Sequence, residues 1–291
     1  MICADDPRGI LYPARLPTFR RVPAPANLAA CVRWFWIPVW RLAPGRTSRQ
    51  NLLPFPASNL VVQHDGITLS GPSTSASYRD LSGYGWAVGA LLRPAGIAGI
   101  HQAPKQIRDA ESTYEAPGLF ADVTAAMAAP HSITGQDLAV EHCCHWLRET
   151  LPEPGESALL ANAMEDIVAA DRSVVRVGDL AERLSVSVRT LQRLSDRYVG
   201  LPPLAIIRRY RLQEAAARLR AEPDTTVVEV AADLGYADQA HFASDFTRTL
   251  GMSPTAYRRG MRASGDGVGS GVFCQARASV APGFFLGGGR C

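Results

Sequence analysis

Lysine is almost missing from this sequence: of 30 basic residues, Lys105 is the sole lysine and the others are arginine. That skew reports a GC-rich genome rather than a mechanism. No apolar run approaches the ~20 residues that a membrane-spanning helix needs. Residues 1–9 carry Asp5, Asp6 and Pro7 where a secretory leader would place its apolar stretch. The six cysteines, at 3, 31, 143, 144, 274 and 291, show neither framework spacing nor Cys-x-x-Cys. The expectation is reduced thiols in a cytoplasm, without a membrane partner. Phosphate-binding glycine loops, Gly-x-Ser-x-Gly and His-Glu-x-x-His are all missing, so the sequence offers no familiar catalytic signature.

What is present is enough for two cores. The chain has 291 residues, 47% of them hydrophobic and 20% charged, which is the composition of a globular protein of two ordinary domains. A net charge of +3 is too small to name a partner. Its distribution says more: residues 171–262 hold 15 Arg against 11 acids, a surplus of four, and the remainder sums to −1. A basic excess confined to one region is what a module facing a polyanion carries.

Residues 1–152 read as turns and short strands. Pro and Gly punctuate the runs Val32–Val39, Asn59–Gln63, Ile67–Leu69 and Gly85–Leu92, as in a small β-rich sandwich or barrel. From Gly135 to Leu151 the pattern turns helical, with Leu138, His142 and His145 on one side, until Pro152 and Pro154 break it. Beyond Glu156 apolar residues recur at three- and four-residue spacing. Seven helices are expected, over 157–170, 178–185, 188–198, 203–221, 227–234, 239–250 and 254–261. The fold class is therefore α+β: a β-rich sensor-like domain (1–152), an all-α domain with two helix-turn-helix units joined by a long helix (153–262), and a Gly/Ser-rich disordered tail (263–291).

The strongest local signal occurs twice, over 179–194 and 229–246. In each copy a short helix, a tight turn and a second helix follow one another. Ala181 and Ala231 are small enough for two helices to cross closely, and Gly235 supplies the positive φ of a sharp turn. Ser187 and Asp238 suit the N-caps of the second helices. Leu180, Leu184, Val186, Leu191 and Leu194 form one buried seam; Val230, Leu234, Tyr236, Phe242 and Phe246 form the other. With the seams inward, Arg189, Gln192 and Arg193 project from the first copy, and Gln239, Ala240, His241 and Ser244 from the second. Arg pairs bidentately with guanine edges and Gln with adenine in the major groove. The connecting helix Pro203–Ala221 spans roughly 28 Å at ~1.5 Å per residue, a length that lets both second helices reach successive major grooves on slightly bent DNA.

Residues 157–259 resemble the DNA-binding domain of the AraC/XylS family of bacterial transcription regulators. The resemblance rests on Leu180-Ala181, Ser187-Val188-Arg189-Thr190-Leu191-Gln192-Arg193, Gly200-Leu201-Pro202, Arg208-Arg209-Tyr210-Arg211-Leu212, Leu234-Gly235-Tyr236, Asp238-Gln239-Ala240-His241-Phe242 and Gly251-Met252-Ser253-Pro254. It implies DNA contacts from Ser187, Arg189, Thr190, Gln192, Arg193, Asp238, Gln239, Ala240, His241 and Ser244. Departures are Ser185, where the family often has Gly, Ser195, where an aromatic commonly packs, and Ser244-Asp245, where a basic residue is frequent. Base reading is thus expected chiefly from Arg189, Gln192 and Arg193. Gln239 and His241 serve the second helix, or it contacts phosphate alone.

Residues 16–115 resemble a β-rich domain found at the N-terminus of many such regulators, through Val32-Arg33-Trp34-Phe35-Trp36, Leu53-Pro54-Phe55-Pro56 and Val88-Gly89-Ala90-Leu91-Leu92-Arg93. Trp34, Trp36, His64, Trp86 and Arg93, with Trp40 and His101, are candidates to line a small-molecule pocket; the alternative is a Trp-rich β core with His64 at a turn. The tract Glu141-His142-Cys143-Cys144-His145 raises a metal site against an ordinary interdomain helix. Adjacent cysteines point about 100° apart on a helix, which favours the helix. Alkyltransferases fused to such helices need Pro-Cys-His-Arg, whereas Cys144-His145 is followed by Trp146. No catalytic residue, metal ligand or cofactor is assigned. Double-stranded DNA is the expected partner, with RNA polymerase, a small-molecule effector and a second copy of the chain as candidates. An enzymatic or metal-sensing N-terminal domain attached to DNA-binding helices is the other arrangement the residues leave open.

Overall fold

The computed structural model describes residues 18–222 and 224–265. The expected disordered tail lies outside the described residues from 266 onward, while 263–265 continue the last helix.

The N-terminal part is antiparallel. Its strands are β1 (Thr18–Pro23), β2 (Val32–Arg41), β3 (Thr47–Leu52), β4 (Ser58–Gln63), β5 (Gly66–Ser70), β6 (Ser77–Ser82), β7 (Tyr84–Leu92) and β8 (Glu111–Thr113). Six form one sheet in the order β1-β2-β7-β4-β5-β8, and β3 pairs with β6 apart from it. Four strands had been legible by their apolar runs. β3 and β6 carry no such run because they are held through polar pairs: Arg49 forms a two-pronged salt bridge to Asp80 at 2.7 and 2.8 Å and lies over the Tyr78 ring.

Period-two alternation splits β2 between two environments. Phe35, Ile37 and Val39 point into a core shared with Leu119 and Val123 of helix α2 (Pro117–Ala126) and Ala139, Val140, Cys143 and Leu147 of α3 (Ile133–Thr150). Trp34, Trp36, Pro38 and Trp40 line the opposite face, which borders a cavity. Directly after β7 comes α1 (Pro94–Ile100), started by Pro94 at its first turn.

Beyond Pro152 and Pro154 the elements of the described residues are all helices: α4 (Glu156–Ala170), α5 (Val177–Arg183), α6 (Val188–Tyr198), α7 (Pro203–Ala221), α8 (Val227–Asp233), α9 (Gln239–Leu250) and α10 (Pro254–Gly265). These are the seven expected helices, with ends displaced by a few residues. Among the described residues no helix is long and apolar enough to cross a membrane.

The sheet and the helices share buried surface. Trp34, Phe55, Ala57 and Leu91 belong to one apolar cluster with Met164, Leu180, Leu191, Ile206, Ile207 and Tyr210. Inside this seam the Glu165 carboxylate accepts a hydrogen bond from the Tyr210 hydroxyl at 2.7 Å and pairs with Arg33 at 2.9 Å. Burial works against the charge on Arg33, but Glu165, Tyr210 and Asp166 outweigh it and raise the guanidinium pKa. Arg93 joins from the end of β7, donating to Asp166 at 2.5 Å. Removing one charge of a buried pair strands the other. Glu165→Gln is therefore expected to cost about 3 kcal/mol of stability, read as a lower urea midpoint at unchanged slope; a midpoint equal to wild type would contradict this account.

Candidate nucleic-acid interface

Each helix-turn-helix unit is assembled by local chemistry. α5 begins where the Asp179 carboxylate accepts the Arg176 amide at 3.0 Å. α8 begins at a reciprocal capping box, Thr226 hydroxyl to Glu229 amide at 3.1 Å and Glu229 carboxylate to Thr226 amide at 2.6 Å. The two turns then match bond for bond. Ser185 and Gly235 donate to Glu182 and Ala232, and Val186 and Tyr236 donate to Ala181 and Ala231. The copies are thus offset by 50 positions up to the turn. The second helices of the units, α6 and α9, begin at Val188 and Gln239, so the second turn is one residue longer.

That turn requires a left-handed backbone. Gly235 adopts φ 68° without penalty, and Ser185 is held at φ 52° in the first copy. A side chain there costs about 1–2 kcal/mol, which explains why the family pattern favours Gly at this point.

The predicted caps are in place: the Ser187 hydroxyl accepts the Thr190 amide at 3.0 Å, and the Asp238 carboxylate accepts the His241 amide at 2.7 Å. Leu180, Leu191, Val230, Leu234, Phe242 and Phe246 are buried as expected, although Leu194 packs with Ala95, Ala158 and Tyr198 in a separate cluster. Arg189, Gln192, Arg193, Gln239, Ala240, His241 and Ser244 are exposed. Thr190 is half-buried against the Ser187 hydroxyl. Sequence reasoning missed Val188, exposed on the leading turn of α6; an apolar group there is the chemistry that meets a thymine methyl.

Asp245, which occupies a position where the family often has a basic residue, is buried. It accepts the Tyr236 hydroxyl at 3.0 Å and pairs with Arg248. Burial and the Asp245 carboxylate hold the Tyr236 phenol well above its usual pKa. The Arg211 guanidinium of α7 lies 4.7 Å from the Tyr236 ring, and His241 meets the same ring edge-on at 5.4 Å. Tyr236 therefore fixes the start of α9 against the connecting helix.

The candidates for a small-molecule pocket separate. Trp34 and Trp36 border the cavity, together with Trp40. His64 does not: it is exposed on the turn between β4 and β5 because Asp65 and Gly66 carry the chain away from the sheet face. Trp86 lies in the opposite core beside Val39, its cross-strand partner. Arg93 serves the seam to α4 instead. In α3, Cys143 and Cys144 are buried, the former pushed up to about 12 by desolvation, and His145 faces Glu149 at 3.3 Å. Among the described residues no group of three or more side chains is arranged to hold a metal ion.

Comparison with known proteins fits this geometry. A helix-turn-helix domain family model matches residues 180–260, and a domain of unknown function matches residues 20–111. The transcriptional activator RhaS of Escherichia fergusonii is 39% identical over 85 residues, 29% of this chain and 30% of that protein. An AraC-like transcription regulator of Streptomyces lividans is 31% identical over 138 residues, 44% of this chain and 45% of its own length. The chain thus spans less than half the length of these relatives. Among solved structures, the DNA-binding domain of AdpA in complex with a target DNA overlays with 30% identity and a TM-score of 0.34, covering 38% of this chain and 97% of that one. ToxT from Vibrio cholerae overlays with 14% identity and a TM-score of 0.42, covering 78% and 98%.

Two substitutions test the site's construction. Ser185→Gly relieves the left-handed strain at some entropic cost, and is expected to stabilise by about 0.5 kcal/mol, seen as a higher thermal midpoint. Phe242→Ala, which empties the centre of the second unit, should cost about 3–5 kcal/mol; a loss below 1 kcal/mol in chemical denaturation would show that the unit is loosely packed.

Proposed function

We propose that this chain, whose C-terminal domain belongs to the AraC family of double helix-turn-helix DNA-binding domains, is a sequence-specific transcription regulator. It places the leading turns of α6 and α9 in successive major grooves of a promoter-proximal site. The observation that carries the reading is the duplication itself: two turns with the same hydrogen bonds, each followed by a capped helix with exposed polar residues, joined by the 19-residue α7. Arg189, Gln192 and Arg193 read bases; Gln239 and His241 do so in the second groove, with Ser187, Thr190, Asp238, Ala240 and Ser244 flanking them. Arg197 and Arg208, both exposed, meet phosphates on this reading. The β-rich domain controls this binding as a sensor of a small molecule or by dimerisation. On this reading the protein is a cytoplasmic, non-enzymatic regulator that meets RNA polymerase at the promoter.

The test is anisotropy of a labelled duplex from the region upstream of the chain's own coding sequence, with random DNA as competitor at two salt concentrations. Arg193→Ala should weaken specific binding by about 1–3 kcal/mol and relax preference at one base pair. Equal loss on random DNA would assign Arg193 to phosphate instead. Binding that random DNA removes completely, and that collapses with salt, would overturn sequence-specific reading.

A further inference from the structure

The cavity bordered by β2 has a volume of about 500 Å³, the size of a small-molecule site. Its floor is unusual. In the β2–β7 register Trp36 lies opposite Gly89 and Trp40 opposite Gly85. A Cβ on Gly89 would fall 2.1 Å from the Trp36 ring, and one on Gly85 would fall 2.2 Å from the Trp40 ring. Each indole therefore lies directly on bare backbone, where any other residue would displace it. Both ring nitrogens are already engaged, Trp36 with the Asn59 side chain at 3.0 Å and Trp40 with the Ser82 carbonyl at 3.2 Å. The indoles thus have their polar edges satisfied, and what the half-buried Trp36 offers an occupant is carbon surface.

The charged residues of the lining balance. Arg21 and Arg79 stand against Asp109 and Glu111. Arg79 pairs with Glu111, Asp109 accepts the Thr74 amide and hydroxyl at 2.5 Å each, and the Arg21 guanidinium lies 4.5 Å from the Trp34 ring. A charged occupant would find no net charge to offset its desolvation.

The geometry points to a planar, uncharged polycyclic aromatic molecule as the occupant, stacked on Trp36 beside Trp40. This assignment rests on the sensor reading of the β-rich domain and gives that sensor a ligand class and a route to the DNA. The route is short because several lining residues also hold the helical domain. Phe55 packs edge-on to Tyr210 of α7 with ring centroids 5.6 Å apart. Leu53 packs against the core of the second helix-turn-helix unit. The carbonyl of Ser73 accepts the Arg209 guanidinium at 3.0 Å, and that of Pro54 accepts the Gln213 amide at 2.7 Å. A ligand that moves these segments moves the helix joining the two reading heads.

The experiment uses the full chain and N-phenyl-1-naphthylamine, an uncharged probe with a planar naphthalene ring, whose emission rises in apolar surroundings. Saturable binding with quenching of tryptophan emission is expected, weakened at least about tenfold in Trp36→Ala. Trp36→Leu, which keeps apolar bulk without the flat face, should lose affinity similarly; circular dichroism confirms that either variant is folded. Equal probe affinity in a folded variant overturns the site. Displacement by dodecanoate as effective as by a second planar aromatic overturns the ligand class. Saturating probe should also change affinity for the upstream duplex by about fivefold in wild type and not in the Trp36 variants. Bound probe with unchanged DNA affinity overturns the coupling and leaves the DNA-binding reading intact. A chain that takes up probe but binds no DNA overturns the proposed function, and the coupling with it, while the aromatic site stands.

Discussion

One buried carboxylate decides how the two halves of the molecule meet. Glu165 is taken from water by α4, and it tolerates this because Arg33 reaches it from the sheet and Tyr210 from the connecting helix. Three elements distant in sequence are therefore fixed at one point. Around it the seam is apolar, with Trp34 and Phe55 pressed on Ile206, Ile207 and Tyr210. The apolar contacts supply attraction without direction. The charge cluster supplies direction, since a shifted register would leave Arg33 or Glu165 unpaired in a dry interior.

The consequence for α7 is that it has two duties. Its length separates the reading helices, and its flank carries the ties to the β-rich domain: Arg209 to Ser73 and Thr74, Gln213 to Pro54. A further bond from the Ala76 amide to the Thr249 carbonyl reaches the end of α9 itself. Both reading heads thus rest, directly or through α7, on loops that rim the cavity. An isolated helical domain would lack those supports and keep only the packing of each head on α7.

The helical domain was legible in the sequence because everything that defines it is local. Caps, small crossing residues and a 3.6-residue apolar period are written in consecutive letters, and the seven helices follow them closely. Ser185 stood out only as a departure from the resemblance, and its left-handed backbone emerges from the structure. The β-rich domain was legible only where strands are apolar. β3 and β6 escaped because Arg49, Asp80 and Tyr78 stabilise them across the pair rather than along the chain. Of the pocket candidates only Trp34, Trp36 and Trp40 border the cavity, for the same reason. Alternation along β2 places Trp34, Trp36 and Trp40 together, but only the pairing of β2 with β7 shows that Trp86 faces the other way. The seam left no sequence signal at all, since Arg33, Glu165 and Tyr210 are too far apart for any pattern to join them.

The glycine-backed indoles have a reach beyond this molecule. Trp36 and Trp40 stand four residues apart on one strand, Gly85 and Gly89 four apart on its antiparallel neighbour, each pair in register with the other. Neither half means much alone, because tryptophans and glycines are scattered through many sheets. Together they form a crossed signature that can be sought in pairs of adjacent strands without knowing any ligand. Relatives that keep it would share a stacking floor. Relatives that have exchanged one of the glycines for a residue with a side chain would have pushed an indole off the sheet and lost that floor.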